Sequence, residues 1–304
     1  MRTIKNVAIL GLGGLGCAYG SKFYDLMPDS FRVIANKERI NRYTRDGFVI
    51  NGRRYDFPYA DADEKGEAAD LIMVLVKTHQ LTQAVHDMRN YVGDNTIILS
   101  LLNGITSEAI IGRAYDMEKM LYAVSYQLTP FREGNDVRFS GYGNIAFGEK
   151  DNTVHSEKVQ AVREFFDRTA VPYTVPDDMM RSLWWKFMVN VGINQCSAVT
   201  RGRYGLFQRD ERAIALMESA MWEVVRLSEK AGIHLNAGDL KRWREMLGGL
   251  NPDNRTSMLE DIESGRSTEV DAFAGTVCEL GQQYGVETPV NATLLRIIKL
   301  IEAP

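Results

Sequence analysis

The 304-residue sequence predicts an α/β fold in two parts: a parallel sheet covered by helices over residues 1–176, then an all-helical part over 177–304. Three observations carry that expectation. Short, continuously apolar runs alternate with helix-compatible stretches in the first half, as strands buried on both faces do. Strand signals stop after Pro176, and apolar residues then recur at helical spacing almost to the C-terminus. Loops inside each part are short, and no repeat or low-complexity segment interrupts them.

The buried-strand runs are NVAIL (6–10), FRVIAN (31–36), LIMVLV (71–76) and TIILSL (96–101). Leu15–Leu26 and Leu81–Tyr91 read as helices between them. From about 120 to 148 the texture becomes LYAVSYQL, DVRFSG and NIAFGE, broken by Gly134 and Gly141. These segments read as further strands, some of them antiparallel, that finish the sheet. A helix over 155–168 and the strand PYTV lead to Pro176. Beyond VPDDMM, helices are expected over 179–200, 209–232, 237–247, 255–264, 269–284 and 290–302.

Bulk composition removes several classes of function. With 36 basic and 40 acidic residues the formal net charge is −4, and no lysine/arginine block stands out, so nucleic acid is not an expected partner. Cys17, Cys196 and Cys278 are three widely spaced residues without a CxxC pair, which fits a reducing compartment and neither a disulfide framework nor a zinc site. The longest clean apolar run, LIMVLV, is far too short to span a bilayer. Arg2 and Lys5 precede only four apolar residues before glycine intervenes, too few for a secretion signal. A cytoplasmic protein is expected, with no membrane partner.

The first strand runs into GLGGLG, so Gly11, Gly13 and Gly16 match G-x-G-x-x-G between a strand and a helix. In that context Gly11 permits a tight turn, Gly13 admits a pyrophosphate to the backbone, and Gly16 lets the helix pack closely. The first part is therefore expected to be a Rossmann-type dinucleotide-binding domain, with Gly11, Leu12, Gly13, Gly14, Leu15 and Gly16 as the cofactor cradle. A packing turn without ligand is the plainer alternative. The second strand ends IANKER, with no acid at its tip. Lys37 and Arg39 suit the extra phosphate of NADP while Glu38 would oppose it if it pointed inward; the balance favours NADP, with an ordinary solvated helix start as the plainer alternative. Lys77 and Asn103-Gly104 close two further strands, the end at which open α/β sheets bind ligands.

The helix SLWWKFMVNVGINQCSA is apolar around nearly its whole circumference, interrupted by Lys186, Asn190 and Asn194. At i, i+4 and i+8 these three fall within an arc of about 80°. A network of hydrogen bonds between helices explains the asparagines but explains a lysine poorly. A substrate site explains all three, and desolvation there draws the lysine toward a useful acid–base range. Near the end, TSMLEDIESGRSTEVD (256–271) places Ser257 and Glu269 on either side of a short helix, a pattern that two ordinary helix caps also satisfy.

Taken together, GLGGLG (11–16), VKTHQ (76–80), LNG (102–104), LWWKFMVNVGIN (183–194) and TSMLEDIESGRSTEVD (256–271) resemble the ketopantoate reductase family over essentially the full length. The resemblance implies NADPH-dependent reduction of 2-dehydropantoate to (R)-pantoate, on the way to pantothenate and coenzyme A. It implies that Lys186 is the general acid and that Asn103, Asn190, Asn194 and Ser257 bind substrate. It further implies that Lys37, Lys77, Asn103 and Glu269 join the glycine turn around the cofactor. Two positions depart from the pattern: Asn36 stands where the family commonly has arginine, and Tyr204 stands where it has an asparagine before Gly205. A reductase of another 2-oxo acid with the same lysine machinery, and a non-catalytic dinucleotide-binding redox sensor, are the competing readings. The expected partner is a small 2-oxo acid, and a homodimer stays open.

Overall fold

A computed structural model describes residues 3–126 and 130–303, so Gln127 and Leu128 of the LYAVSYQL run lie outside the described residues. The chain forms two compact units, Met1–Leu102 with Ser107–Met179, and Asn103–Thr106 with Met180–Pro304.

The first unit holds twelve strands among its described residues: β1 (Val7–Leu10), β2 (Phe31–Ala35), β3 (Phe48–Ile50), β4 (Arg53–Tyr55), β5 (Tyr59–Asp61), β6 (Ala69–Val74), β7 (Val92–Ser100), β8 (Met120–Tyr126), β9 (Phe131–Glu133), β10 (Asp136–Arg138), β11 (Asn144–Gly148) and β12 (Tyr173–Thr174). Eight of them form the main sheet in the order β12-β11-β8-β7-β6-β1-β2-β5. Its pairings are parallel except β8 with β11. Its helices are α1 (Gly14–Leu26), α2 (Lys37–Asp46), α3 (Leu81–Asp87), α4 (Ser107–Tyr115) and α5 (Glu157–Thr169).

Alternate residues of the central strands enter two separate cores, which is why these strands read as unbroken apolar runs. Val7, Ile9, Val33, Leu71, Met73, Ile97 and Leu99 pack with Cys17, Tyr19 and Phe23 of α1 and with Val162 and Phe165 of α5. Ala8, Leu10, Ile34, Ile72, Val74 and Ile98 pack instead with Leu81 and Ala84 of α3 and Ile111 of α4. Burial on both faces removes the polar alternation that would mark a half-exposed strand.

One expected strand is placed differently. Asp136–Arg138 of the DVRFSG run does not extend the main sheet. As β10 it pairs in parallel with β3 and antiparallel with β9, within a separate four-stranded sheet of order β4-β3-β10-β9. The polar residues of this segment suit a small, largely exposed sheet better than a doubly covered one.

Helices make up the described elements of the second unit: α6 (Met179–Thr200), α7 (Tyr204–Arg209), α8 (Glu211–Lys230), α9 (Ala237–Gly248), α10 (Ser257–Glu263), α11 (Ala274–Tyr284) and α12 (Pro289–Glu302). The expected helix over 209–232 starts two residues later, because Asp210 is its N-cap and accepts from the backbone N–H of Arg212 at 2.9 Å. A buried polar network ties four helices together. The Glu223 carboxylate accepts from the backbone of Val290 at 2.8 Å, and from the backbone and side-chain amide of Asn291 at 3.0 and 2.7 Å. Gln195 donates to Asn291 at 3.0 Å and accepts from the N–H of Ala274 at 3.0 Å. A carboxylate at the start of α12 satisfies N–H groups that the helix itself leaves unpaired.

Candidate active site

Each unit brings together part of the expected site. In the first, β6, β1 and β2 lie side by side and parallel, so the segments leaving them emerge at one carboxyl edge: Lys77 after β6, the glycine turn after β1, and Asn36 with Lys37 after β2.

Gly11 takes φ +95°, and a Cβ there would lie 2.7 Å from the Leu75 carbonyl oxygen, so both conformation and space require glycine. The helix is brought against the turn by Gly16, where a Cβ would fall 1.8 Å from the Gly11 oxygen. Leu12 is buried and Leu15 packs against the core, so the side chains anchor the turn. Gly13 is the N-cap of α1 without a side-chain cap, and no acidic residue occupies the first turn. A Cβ on Gly13 would find only the Leu75 oxygen, at 3.9 Å. The room beside Gly13, together with the uncapped, positively polarised N–H groups at the start of α1, fits the phosphates of a dinucleotide.

At the neighbouring strand end, Asn36 caps α2 by accepting from the Arg39 N–H at 3.0 Å. The residue that departs from the family pattern thus has a structural task. Lys37 follows on the exposed first turn of α2, and Arg39 is half-buried there. Lys77, half-buried, opens a short 3₁₀ turn over Thr78–Gln80.

The second unit carries the polar stripe. Along α6, Leu183, Trp184, Trp185, Phe187, Met188, Val189, Val191 and Ile193 are all buried. Asn190 and Asn194 are 4% and 6% exposed, and Lys186 is half-buried. Desolvation pulls the Lys186 ammonium down to about 8, because burial penalises its charged form.

Two long-range hydrogen bonds organise this surface. Asn190 Nδ2 donates to Asn103 Oδ1 at 3.2 Å, and Asn103 Nδ2 donates to Glu269 Oε2 at 2.9 Å. Asn103 is thereby held at both ends of its amide. Gly104, at φ +98°, brings the loop against the 3₁₀ turn Val270–Ala272, where a Cβ would lie 3.4 Å from the Ala272 oxygen. Glu269 is itself buried. The Asn194 side chain has no hydrogen-bond partner among the described residues, although it is nearly buried. Its amide is not among the fully buried unpartnered groups of the described residues, which are Tyr59 and Ser125, so it keeps enough exposure to meet a ligand oxygen.

Ser257 stands at the first turn of α10, exposed, while Thr256 before it supplies the cap by accepting from the Leu259 N–H at 3.2 Å. No hydrogen bond among the described residues joins Ser257 to the Asn190–Asn103–Glu269 chain. Arg132, which the motifs did not bring forward, reaches the glycine turn and donates to the Leu12 oxygen at 2.6 Å. No sequence signal points to it, since a lone arginine 120 residues from the turn has no distinctive spacing.

The sequence models of the family described as ketopantoate reductase PanE/ApbA match residues 7–152, and those of its C-terminal domain match 178–302. The chain belongs to the ketopantoate reductase family. It is an oxidoreductase of that family, and its α/β first unit and helical second unit carry the family's fold. A 2-dehydropantoate 2-reductase of Archaeoglobus fulgidus is 25% identical over 301 residues, covering 99% of each chain. Among solved structures, D-mandelate dehydrogenase with NADH and anilino(oxo)acetate superposes with a TM-score of 0.86 at 22% identity, covering 98% of each chain. A dimeric ketopantoate reductase from Staphylococcus aureus does so at 0.80 and 18% identity, again covering 98% of each.

Proposed function

We propose that this chain reduces 2-dehydropantoate to (R)-pantoate with NADPH, with Lys186 as the general acid. The observation that carries the reading is the face of α6 in the second unit. There a lysine with its affinity for protons drawn down to about 8 shares one stripe with Asn190 and with Asn194, whose amide makes no hydrogen bond to the described residues. A purely structural network of amides would have little use for a desolvated lysine.

In this reading Gly11, Leu12, Gly13, Gly14, Leu15 and Gly16 hold the pyrophosphate, Lys37 faces the 2′-phosphate, and Lys77, Asn103 and Glu269 complete the cofactor contacts. When bound, NADPH supplies the hydride. Asn194, Asn190 and Asn103 hold the oxygens of the substrate, and Ser257 takes its carboxylate end. Lys186 Nζ gives a proton to the carbonyl oxygen as charge develops there, and its own positive charge stabilises that oxygen. Glu269 keeps Asn103 oriented by accepting from its amide at 2.9 Å.

A second reading keeps this chemistry and changes the substrate to another 2-oxo acid. Tyr204 favours it. This residue is half-buried at the start of α7, and its phenol is raised by burial and by the charge of Glu260, which places an aromatic hydroxyl beside α10. Following NADPH and NADH consumption at 340 nm over a panel of 2-oxo acids separates the two. Rapid NADPH-dependent turnover of 2-dehydropantoate is the expected result. Turnover confined to another 2-oxo acid selects the second reading, and silence across the panel removes both. A homodimer belongs to the same proposal, supported by the dimeric Staphylococcus aureus neighbour. Light scattering at micromolar concentration is expected to give twice the 34.3 kDa chain mass.

A further inference from the structure

The exposed edge of the small sheet reaches the glycine turn. All three residues of β9 are exposed, yet the Arg132 guanidinium is held in place by two backbone carbonyls. Its terminal nitrogen donates to the Leu12 oxygen at 2.6 Å, and its Nε donates to the Gly134 oxygen at 2.8 Å. Pro130, just before β9, would lie 2.3 Å from a Cβ on Gly14. The strand therefore borders the turn where α1 begins. Cys17, in the opening turns of α1, registers the same proximity: burial pushes its thiol up to about 12, against the opposing charge of Arg132.

A guanidinium has five N–H donors. Arg132 spends two on Leu12 and Gly134, and the rest have no protein partner among the described residues. A mobile surface arginine gives up rotamer freedom when it binds, whereas this one has already been ordered. A fixed fork of unused donors, next to uncapped helix N–H groups, matches an anion with several oxygens.

We propose that Arg132 is a further cofactor-binding residue, contacting the pyrophosphate of the dinucleotide at the glycine turn. This rests on the dinucleotide reading given above. Because the pyrophosphate is common to both nicotinamide cofactors, Arg132 supports NADPH and NADH alike. It differs in this from Lys37, which would face the 2′-phosphate that NADH lacks.

The test is fluorescence titration of NADPH and of NADH into the full chain, its Arg132→Gln variant and its Lys37→Gln variant, at low and high salt. Arg132→Gln is expected to weaken both cofactors about tenfold and to flatten the salt dependence of binding. Lys37→Gln is expected to weaken NADPH alone. The melting temperature of Arg132→Gln without ligand is expected to stay at the parent value, with only the cofactor-induced rise reduced. Unchanged affinity for both cofactors overturns the proposal, as does a loss confined to NADPH, which would place Arg132 at the 2′-phosphate. A lower melting temperature with unchanged salt dependence overturns it too, since Arg132 would then only pin the turn. Failure of the parent chain to bind either cofactor would remove the dinucleotide reading itself, a result distinct from every Arg132-specific outcome.

Discussion

Lys186→Ala is expected to lower kcat for the 2-oxo acid by about 10²–10⁴, the range that general acid catalysis supplies, while leaving the NADPH dissociation constant nearly unchanged. The split follows from where the residue stands. Lys186 lies on α6 in the second unit, on the stripe with Asn190 and Asn194, whereas the glycine turn belongs to the first unit. An alanine in its place removes the proton donor and the charge that steadies the developing oxyanion. Steady-state kinetics with a separate binding titration checks the prediction, and near-normal turnover in the variant would remove the mechanism.

The pH dependence gives the same prediction a sign. Burial lowers Lys186 to about 8 from its ordinary value of 10.5. Reduction needs the ammonium, so kcat is expected to be level below about 8 and to fall as pH rises through it. Oxidation of the hydroxy acid needs the neutral amine, so the reverse reaction is expected to rise through the same point. Stability changes in step. Between about 8 and 10.5 the unfolded chain binds more protons at this group than the folded chain, so the folded state gains stability as pH rises across that window. Its desolvation cost is complete below the folded value. Lys186→Arg keeps a charge that does not titrate in this range, and the alkaline fall in reduction should be absent from whatever activity it retains.

How far this site could be read in advance depended on the distance over which each signal acts. The α6 stripe is local: three polar residues among buried apolar ones, at a spacing that puts them on one helix face. The buried strands were equally legible, because β1, β2, β6 and β7 carry unbroken apolar runs over residues that pack into two cores. The four-stranded sheet was not. Its strands are three residues each, and β4 and β9 are mostly or wholly exposed, so neither length nor alternation separates them from loops. The hydrogen bonds through Asn103 span 87 and 166 residues, and no spacing rule reaches across that separation. Only the family resemblance had suggested that Asn103 and Glu269 belong together. Arg132 escaped for the same reason, being 120 residues from Leu12.

Gly16→Ala is expected to cost both stability and cofactor affinity, although alanine is the better helix former by about 1 kcal/mol. Gly16 has an ordinary helical φ, so the objection to a side chain is purely steric: its Cβ would fall 1.8 Å from the Gly11 carbonyl oxygen. That atom is backbone, and it cannot swing aside as a side chain would. Gly11 in turn is pinned at φ +95° with its own free space closed by the Leu75 oxygen at 2.7 Å. Relief must therefore come from separating the start of α1 from the turn, and the N–H groups proposed to face the pyrophosphate separate with it. Overpacking of this kind costs about 1–3 kcal/mol, enough to exceed the helix-propensity gain. The NADPH dissociation constant is expected to rise at least tenfold. Gly20→Ala on the same helix is the control. A Cβ there would meet the tip of the buried Ile9 side chain at 3.0 Å rather than backbone, so any stability change should come from repacking of Ile9 and binding should be unaffected. Denaturant unfolding and NADPH titration of both variants check this contrast. Normal cofactor affinity in Gly16→Ala would show that close packing of α1 on the turn is not what presents those N–H groups.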